Sequence, residues 1–363
     1  MEKRTLLFFI NVTAPTLSAD FSKDFWQRRV IQAANTEPSI RHAVIAIGAI
    51  HQDFISRHEN YSHRQDPTIK SFGFHHYTIA ISHLHKLMAT ETQRLDITLM
   101  CCILFICFDC ISGNHDSAII HLKAGLKILE DIKEQNIQAL TRVEPNLALE
   151  WEREFAPLLL ALGVQAASFV NPKYRKDRAA LWRMMKDARI PTDISRFQSI
   201  DEARHALEIL IADIMSDRTS TEDSSTARRP SSPHIEKAHR HSLTMSEWKV
   251  AFDRYVIDCS SRSPSTKNNN GDGDGDGAGM LMVHWLLISI VINMPACSEE
   301  RFEQMISICE SIVSHHLDRP NTSSSFGFST DIGIIAPLVR SKNISSVLTL
   351  NWNVNLAAYF KNS

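Results

Sequence analysis

No cysteine occurs among the first 100 residues of this 363-residue chain, and the seven that follow, at 101, 102, 107, 110, 259, 297 and 309, are an odd set with four crowded into one apolar segment. A disulfide framework is therefore disfavoured, and a reducing compartment is the default expectation. Charge of one sign is missing as well: 39 Lys and Arg against 41 Asp and Glu leave a formal net charge of −2. Such a chain has no overall basic field with which to hold a phosphate backbone non-specifically. Apolar runs of roughly the 20 residues that span a bilayer are lacking too. The longest, Met280 to Met294, is interrupted by His284 and reads as a buried core helix. Met1-Glu2-Lys3-Arg4 ahead of Leu6 to Ile10 has the charge order of a signal peptide, but the run is short and Asn11 ends it without a small-residue cleavage site. A phosphate-cradling glycine loop, a Gly-x-Ser-x-Gly elbow and a dinucleotide fingerprint are all absent. No catalytic, cofactor-binding or metal-binding residue can be nominated, and the chain is not expected to be an enzyme.

What is present is apolar and helical in period. With 44% hydrophobic residues the chain can bury a sizeable core. Little of it shows the strict alternation of a half-buried strand, so the expected class is all-α. Ser39 is positioned to cap a helix that carries Ile40, Ala43, Val44, Ile47, Ile50, Phe54 and Ile55 on one broad face. A second amphipathic helix is expected from about Phe72 to Met88. Asp96 is expected to cap a segment, Ile97 to Ile111, that is apolar on nearly every side and stops at Gly113-Asn114. An all-round apolar helix belongs in the middle of a bundle. Ala118, Leu122, Gly125, Leu126, Leu129 and Ile132 then share one face, which predicts an antiparallel pair with it.

Further helices are expected from Pro145 through Leu162, from the capping box Ser199-Ile200-Asp201-Glu202 to about Met215, and around 248–259, 280–294 and 298–317. The resulting expectation is a multi-helix bundle or solenoid-like array of antiparallel helix pairs with two disordered loops. Those loops are the Ser/Thr/Arg/Pro tract 217–234 and the low-complexity stretch 260–279, whose compositions bury too little apolar surface to offset the entropy of ordering.

Several residue groups invite a chemical reading and receive a blander one. Cys107 and Cys110 share a helical face beside Cys101 and Cys102, yet Ile103, Leu104, Phe105, Ile106 and Phe108 surround them, and thiols buried there stay protonated. His58 to His63 misses a metalloprotease spacing by one residue, which turns the second imidazole about 100° away. The pairs His75-His76, His83/His85, His239/His241 and His315-His316 read as surface or hydrogen-bonded histidines. Asp272-Gly-Asp274-Gly-Asp276 opens like a calcium loop, but the twelfth position is Val283 where a bidentate glutamate is needed. A disordered acidic linker is the expectation there. The basic clusters at 173–178 and Arg228-Arg229 are short enough to be solvated faces or a nuclear-import signal.

Three stretches together resemble the fungal-specific transcription factor domain of the zinc binuclear cluster family. They are Phe25-Trp26 with Glu37 to His51; His76-Tyr77, Ala80-Ile81, Leu84, Leu99 to Phe108, Gly113-Asn114, Ala118, His121-Leu122 and Gly125 to Leu129; and Ser199 to Leu207 around Glu202-Ala203-Arg204. A fourth, Ser329 to Leu338, is similar to the family's late segment ending in Pro-Leu. The resemblance implies a regulatory domain over residues 25–338, preceded by an N-terminal segment 1–24 and followed by an atypical tail 339–363.

The family's DNA-reading module needs six cysteines in two close sets to hold two zinc ions, and no such set stands in this sequence. The expectation is thus a regulator trimmed at both ends or a gene model cut short, without a DNA-reading module of its own. By resemblance it is a nuclear protein that controls a secondary-metabolite gene cluster. Its partners would be proteins, either a DNA-binding transcription factor or a second copy, with a small-molecule effector in an apolar groove and DNA reached only indirectly. A helical interaction scaffold with no transcriptional role, and an α-helical enzyme, are the competing readings.

Overall fold

Periodicity at 3.6 residues becomes helix almost everywhere. The computed structural model describes residues 1–18, 21–59, 67–89, 94–133, 145–169, 175–188, 193–222, 232–262, 273–293 and 299–317, and no strand occurs among them. The long helices are α4 (Pro38–Glu59), α5 (Pro67–Met88), α6 (Leu95–Ser112), α7 (His115–Lys133), α8 (Pro145–Phe169), α9 (Arg175–Ala188), α10 (Ile200–Glu222), α11 (Ser232–Arg262), α12 (Gly273–Asn293) and α13 (Glu299–Leu317). Successive partners α4/α5, α6/α7, α9/α10 and α12/α13 pack heavily on one another. One continuous apolar cluster runs from Phe9 to Ile288, and a smaller one joins α12 to α13 through Leu286, Ile290, Phe302 and Met305.

The middle position expected for the all-round apolar segment is the one α6 occupies. Every residue from Leu95 to Asp109 except Asp96 is buried, in contact with α4, α7 and α8. By length and composition alone α6 and the 276–293 part of α12 are apolar enough to cross a membrane, but 78% and 56% of those windows are buried inside the protein. Both serve as core helices of the fold described here. The expected faces of α7 and α8 are likewise inward: Leu122, Leu126 and Leu129 on one, Phe155, Leu159 and Leu162 on the other.

Helix ends depart from expectation in instructive ways. Pro38 itself opens α4, since a first helical residue needs no backbone N–H donor, and Ser39 falls inside the first turn. Asp96 likewise sits within the first turn of α6 rather than before it, and its carboxylate takes Arg94 Nη2 at 2.9 Å. At the other end Gly113 adopts φ 79°, and its N–H bonds Cys110 O while Asn114 N–H bonds Asp109 O. That double closure is the Schellman motif, and the left-handed turn is why glycine stands there. In the α10 box, Glu202 N–H donates to Ser199 Oγ at 3.2 Å, but the Glu202 carboxylate accepts from Gln198 N–H, one residue earlier than expected.

The residues ahead of α4 pack on it. Helix α1 (Glu2–Phe8), a π-turn (Phe9–Thr13) and α2 (Ala14–Ser18) lead through a second π-turn (Phe25–Arg29) into α3 (Val30–Thr36). Phe9, Leu17 and Phe21 lie in the same cluster as Trp26 and Val44. Gly48 of α4 makes the approach possible, because a Cβ there would stand 2.7 Å from the Thr5 carbonyl oxygen.

The two tracts expected as disordered loops are helical at both of their edges. Helix α10 continues through 217–222, where Asp217 meets Lys186 at 3.0 Å and His241 at 3.1 Å, and Arg218 Nη1 donates to Val291 O at 3.0 Å. Helix α11 already begins at Ser232 and continues to Arg262, and α12 begins at Gly273 inside the acidic repeat. Tertiary contact overrides local propensity in both places: Gly277 is buried, and Gly279 lies against the Ile312 side chain of α13. The remaining parts of the tracts, 223–231 and 263–272, the segment 329–338 and the tail 339–363 lie outside the described residues.

Candidate functional site

Helix α6 buries a single carboxylate, and around it α5, α6 and α7 assemble a polar cluster within the apolar core. Asp109 is 1% exposed. Tyr77 of α5 donates its hydroxyl to Asp109 Oδ2 at 3.1 Å, and its oxygen lies 3.0 Å from His121 Nε2 of α7. One proton arrangement satisfies all three groups: neutral His121 donates Nε2–H to the Tyr77 oxygen, which donates onward to Asp109. Burial pushes the Asp109 carboxyl up to about 6, pushes the Tyr77 phenol up, and lowers His121 below the ordinary imidazole value of 6.5. Each shift disfavours the charged form, as desolvation requires. Phe108 stacks on the Tyr77 ring at 4.2 Å and Phe105 meets it edge-on. The cluster joins three helices through one chain of hydrogen bonds.

A second polar junction ties the N-terminal segment to α10. Arg204 is 1% exposed, and its Nη2 donates to Ser22 Oγ at 2.7 Å while the guanidinium lies 4.8 Å over the Phe21 ring. Asp201 and Glu208 carboxylates approach it at 3.4 and 3.7 Å. Ser22 is the one non-glycine residue described with positive φ, at 54°, and its N–H donates to Asp201 Oδ1 at 3.1 Å. A buried guanidinium requires such partners to offset its lost hydration. The stretch Glu202-Ala203-Arg204 thus has a task for each residue, because the Ala203 carbonyl also accepts Trp248 Nε1–H at 2.9 Å from α11.

Several of the described histidines and cysteines pack or hydrogen-bond within the fold. His42 Nδ1 and His76 Nδ1 are 2.8 Å apart across α4 and α5, with His83 stacked on His42 at 5.5 Å. His51 is 1% exposed, bonded through Nδ1 to Thr13 at 3.0 Å, and desolvation lowers it to about 4. His205 is also lowered to about 4, first by burial and then by Arg204. Among the described residues no group of three or more His, Cys, Asp or Glu side chains is arranged to hold a metal ion. His63 lies outside them, and the acidic repeat is helical from Gly273 rather than a calcium-binding loop. Cys101, Cys102 and Cys107 are buried as expected, with burial raising all three thiols, Cys102 to about 12; half-buried Cys110 rises to about 11.

Tyr77, His121 and Arg204 lie within the stretches of resemblance, where nothing in the sequence names their partners. Asp109 belongs to none of the sequence motifs. A carboxylate in an otherwise apolar helix was the available signal, since a buried charge needs company.

Comparison with known proteins agrees with the resemblance over the front of the chain. Residues 4–152 match the fungal specific transcription factor domain. The match begins within the N-terminal segment, in keeping with its packing on α4, and includes the first two stretches of resemblance. The transcription regulator lscL of Purpureocillium lilacinum is 26% identical over 110 residues, 29% of this chain and 26% of that protein. The aspercryptin biosynthesis cluster-specific transcription regulator atnN of Emericella nidulans is 31% identical over 105 residues, 28% of this chain and 16% of that protein. The alignments therefore span about a quarter or less of those relatives' own length. No solved structure matches the chain.

Proposed function

We propose that this chain is a nuclear transcription regulator of a biosynthetic gene cluster, acting through its helical domain on protein partners, with DNA contacted indirectly. The observation that carries the reading is the match of residues 4–152 to the fungal specific transcription factor domain, supported by two relatives named as transcription regulators. The relative named for the aspercryptin biosynthesis cluster motivates the cluster-level target. Indirect DNA contact rests on chemistry: the formal charge is −2, and these 363 residues hold no six-cysteine set for a zinc cluster.

In this mechanism the domain is a stiff platform. The α5–α6–α7 cluster and the Arg204 junction hold the helices in one arrangement, so a surface presented to a partner is already ordered before binding. Chromatin occupancy of the tagged protein, read together with transcript levels after deletion, tests the reading. Occupancy at the promoters of a contiguous gene set, loss of those transcripts and no mobility shift of promoter DNA by the purified chain are expected. Absence from promoters with unchanged transcripts would sink it.

A further inference from the structure

Helix α11 is apolar on two opposite sides. Met245, Trp248, Ala251 and Phe252 face the core, whereas Leu243, Val250 and Ile257 are 52%, 52% and 63% exposed. At about 100° per residue, the exposed three fall within about 40° of each other and about 160° from Trp248 and Phe252. An apolar stripe repeated every seven residues on the outer side of a packed helix matches the seam by which two helices associate.

We propose that this stripe is a self-association surface, on which α11 of a second copy packs antiparallel about a two-fold axis passing beside Val250. The charges along the stripe select that occupant and that direction. Glu247 and Arg254 are both exposed and lie on the same flank of the stripe. With a rise of about 1.5 Å per residue, Glu247 stands about 4.5 Å to one side of Val250 along the axis and Arg254 about 6 Å to the other. A two-fold through Val250 keeps that flank on the same side, so it brings Arg254 of the second copy alongside Glu247, and the reverse. Leu243 then meets Ile257 across the seam, and Arg240 lies beside Asp258 of the second copy, whose carboxylate has, among the described residues, only the looser Arg196 contact at 3.8 Å within its own chain. A parallel pair would instead set Arg254 against Asp253, a carboxylate already neutralised by Lys249 of its own helix. An isologous contact needs one patch that complements itself, and this patch does so in hydrophobicity and in charge.

The proposal does not depend on the transcriptional reading. A seam of one helix lies at the small end of specific interfaces, so the dimer is expected to dissociate at about 10–100 µM. Sedimentation velocity on the full chain, from about 5 to 300 µM so as to bracket that range, tests it. A concentration-dependent dimer is expected. Val250→Asp should weaken it at least tenfold, by burying two carboxylates at the two-fold. Glu247→Arg should also weaken it, and Glu247→Arg combined with Arg254→Glu should restore it, a recovery that a parallel pair does not give. Unchanged helical circular dichroism in each variant assigns the losses to association. A chain that stays monomeric throughout, a dimer indifferent to Val250→Asp, or a monomer whose stripe is covered by a different protein overturns the proposal.

Discussion

Helices α6 and α11 each carry more apolar residues than one core-facing stripe needs, and the fold places the surplus differently. Around α6 stand α4, α7 and α8, so that 14 of its 18 residues are buried. Among the described residues helix α11 packs mainly on α10 and α12, and Leu243, Val250 and Ile257 of its second stripe are exposed. The lesson is that an apolar residue is a core residue only when the topology supplies a neighbour on its side. Helix α6 is apolar almost throughout and α11 mixes apolar with charged residues, and their surroundings make one a keystone and the other a surface.

Acid should produce the largest effect, and it acts on the buried region. His51 and His205 bind protons near 6.5 when unfolded and near 4 when folded, so stability falls as pH drops from 6.5 to 4. Asp109, raised from 3.8 to about 6, holds its proton in the folded state and opposes that loss over the same range. Two histidines against one carboxyl leave a net loss on the order of a few kcal/mol, and His42, His76, His121 and His241, also lowered, act in the same direction. Urea unfolding across this pH range measures it, and His51→Gln should flatten the dependence.

Truncation of Leu104, which is fully buried in α6, to alanine should cost about 3 kcal/mol in the same assay. The matching change on the other helix, Val250→Ala, should stay within about 0.5 kcal/mol. Equal costs would erase the contrast between the two helices. Gly48→Ala should cost about 2 kcal/mol, because the added carbon meets the Thr5 carbonyl and forces α1 off α4. Faster amide exchange in residues 2–18 is the specific sign. Tyr77→Phe should cost about 1 kcal/mol by leaving Asp109 and His121 without their shared hydroxyl.

Much of the front of the molecule was legible in advance. The faces of α4 to α8, the glycine stop at Gly113 and the capping serine of α10 follow from a 3.6 period and from terminal backbone groups that need partners. Helix α9 was not legible, since only Ala179, Leu181, Trp182 and Met185 stand out among its charged residues. Nor were the two π-turns before α4, or the helical edges of the low-complexity tracts. The polar clusters were hidden for a different reason: Tyr77 finds Asp109 and His121 at separations of 32 and 44 residues, and Arg204 finds Ser22 at 182.

The sequence by itself determined that this protein is helical, that α6 must be enclosed, and which family its front half resembles, because periodicity and capping act between residues a turn apart. Tertiary structure alone decided that α1 packs on α4, that Asp109 and Arg204 have partners, and that Leu243, Val250 and Ile257 face outward. Hydrogen bonds and burial between distant segments depend on which helices become neighbours, and no local pattern contains that information.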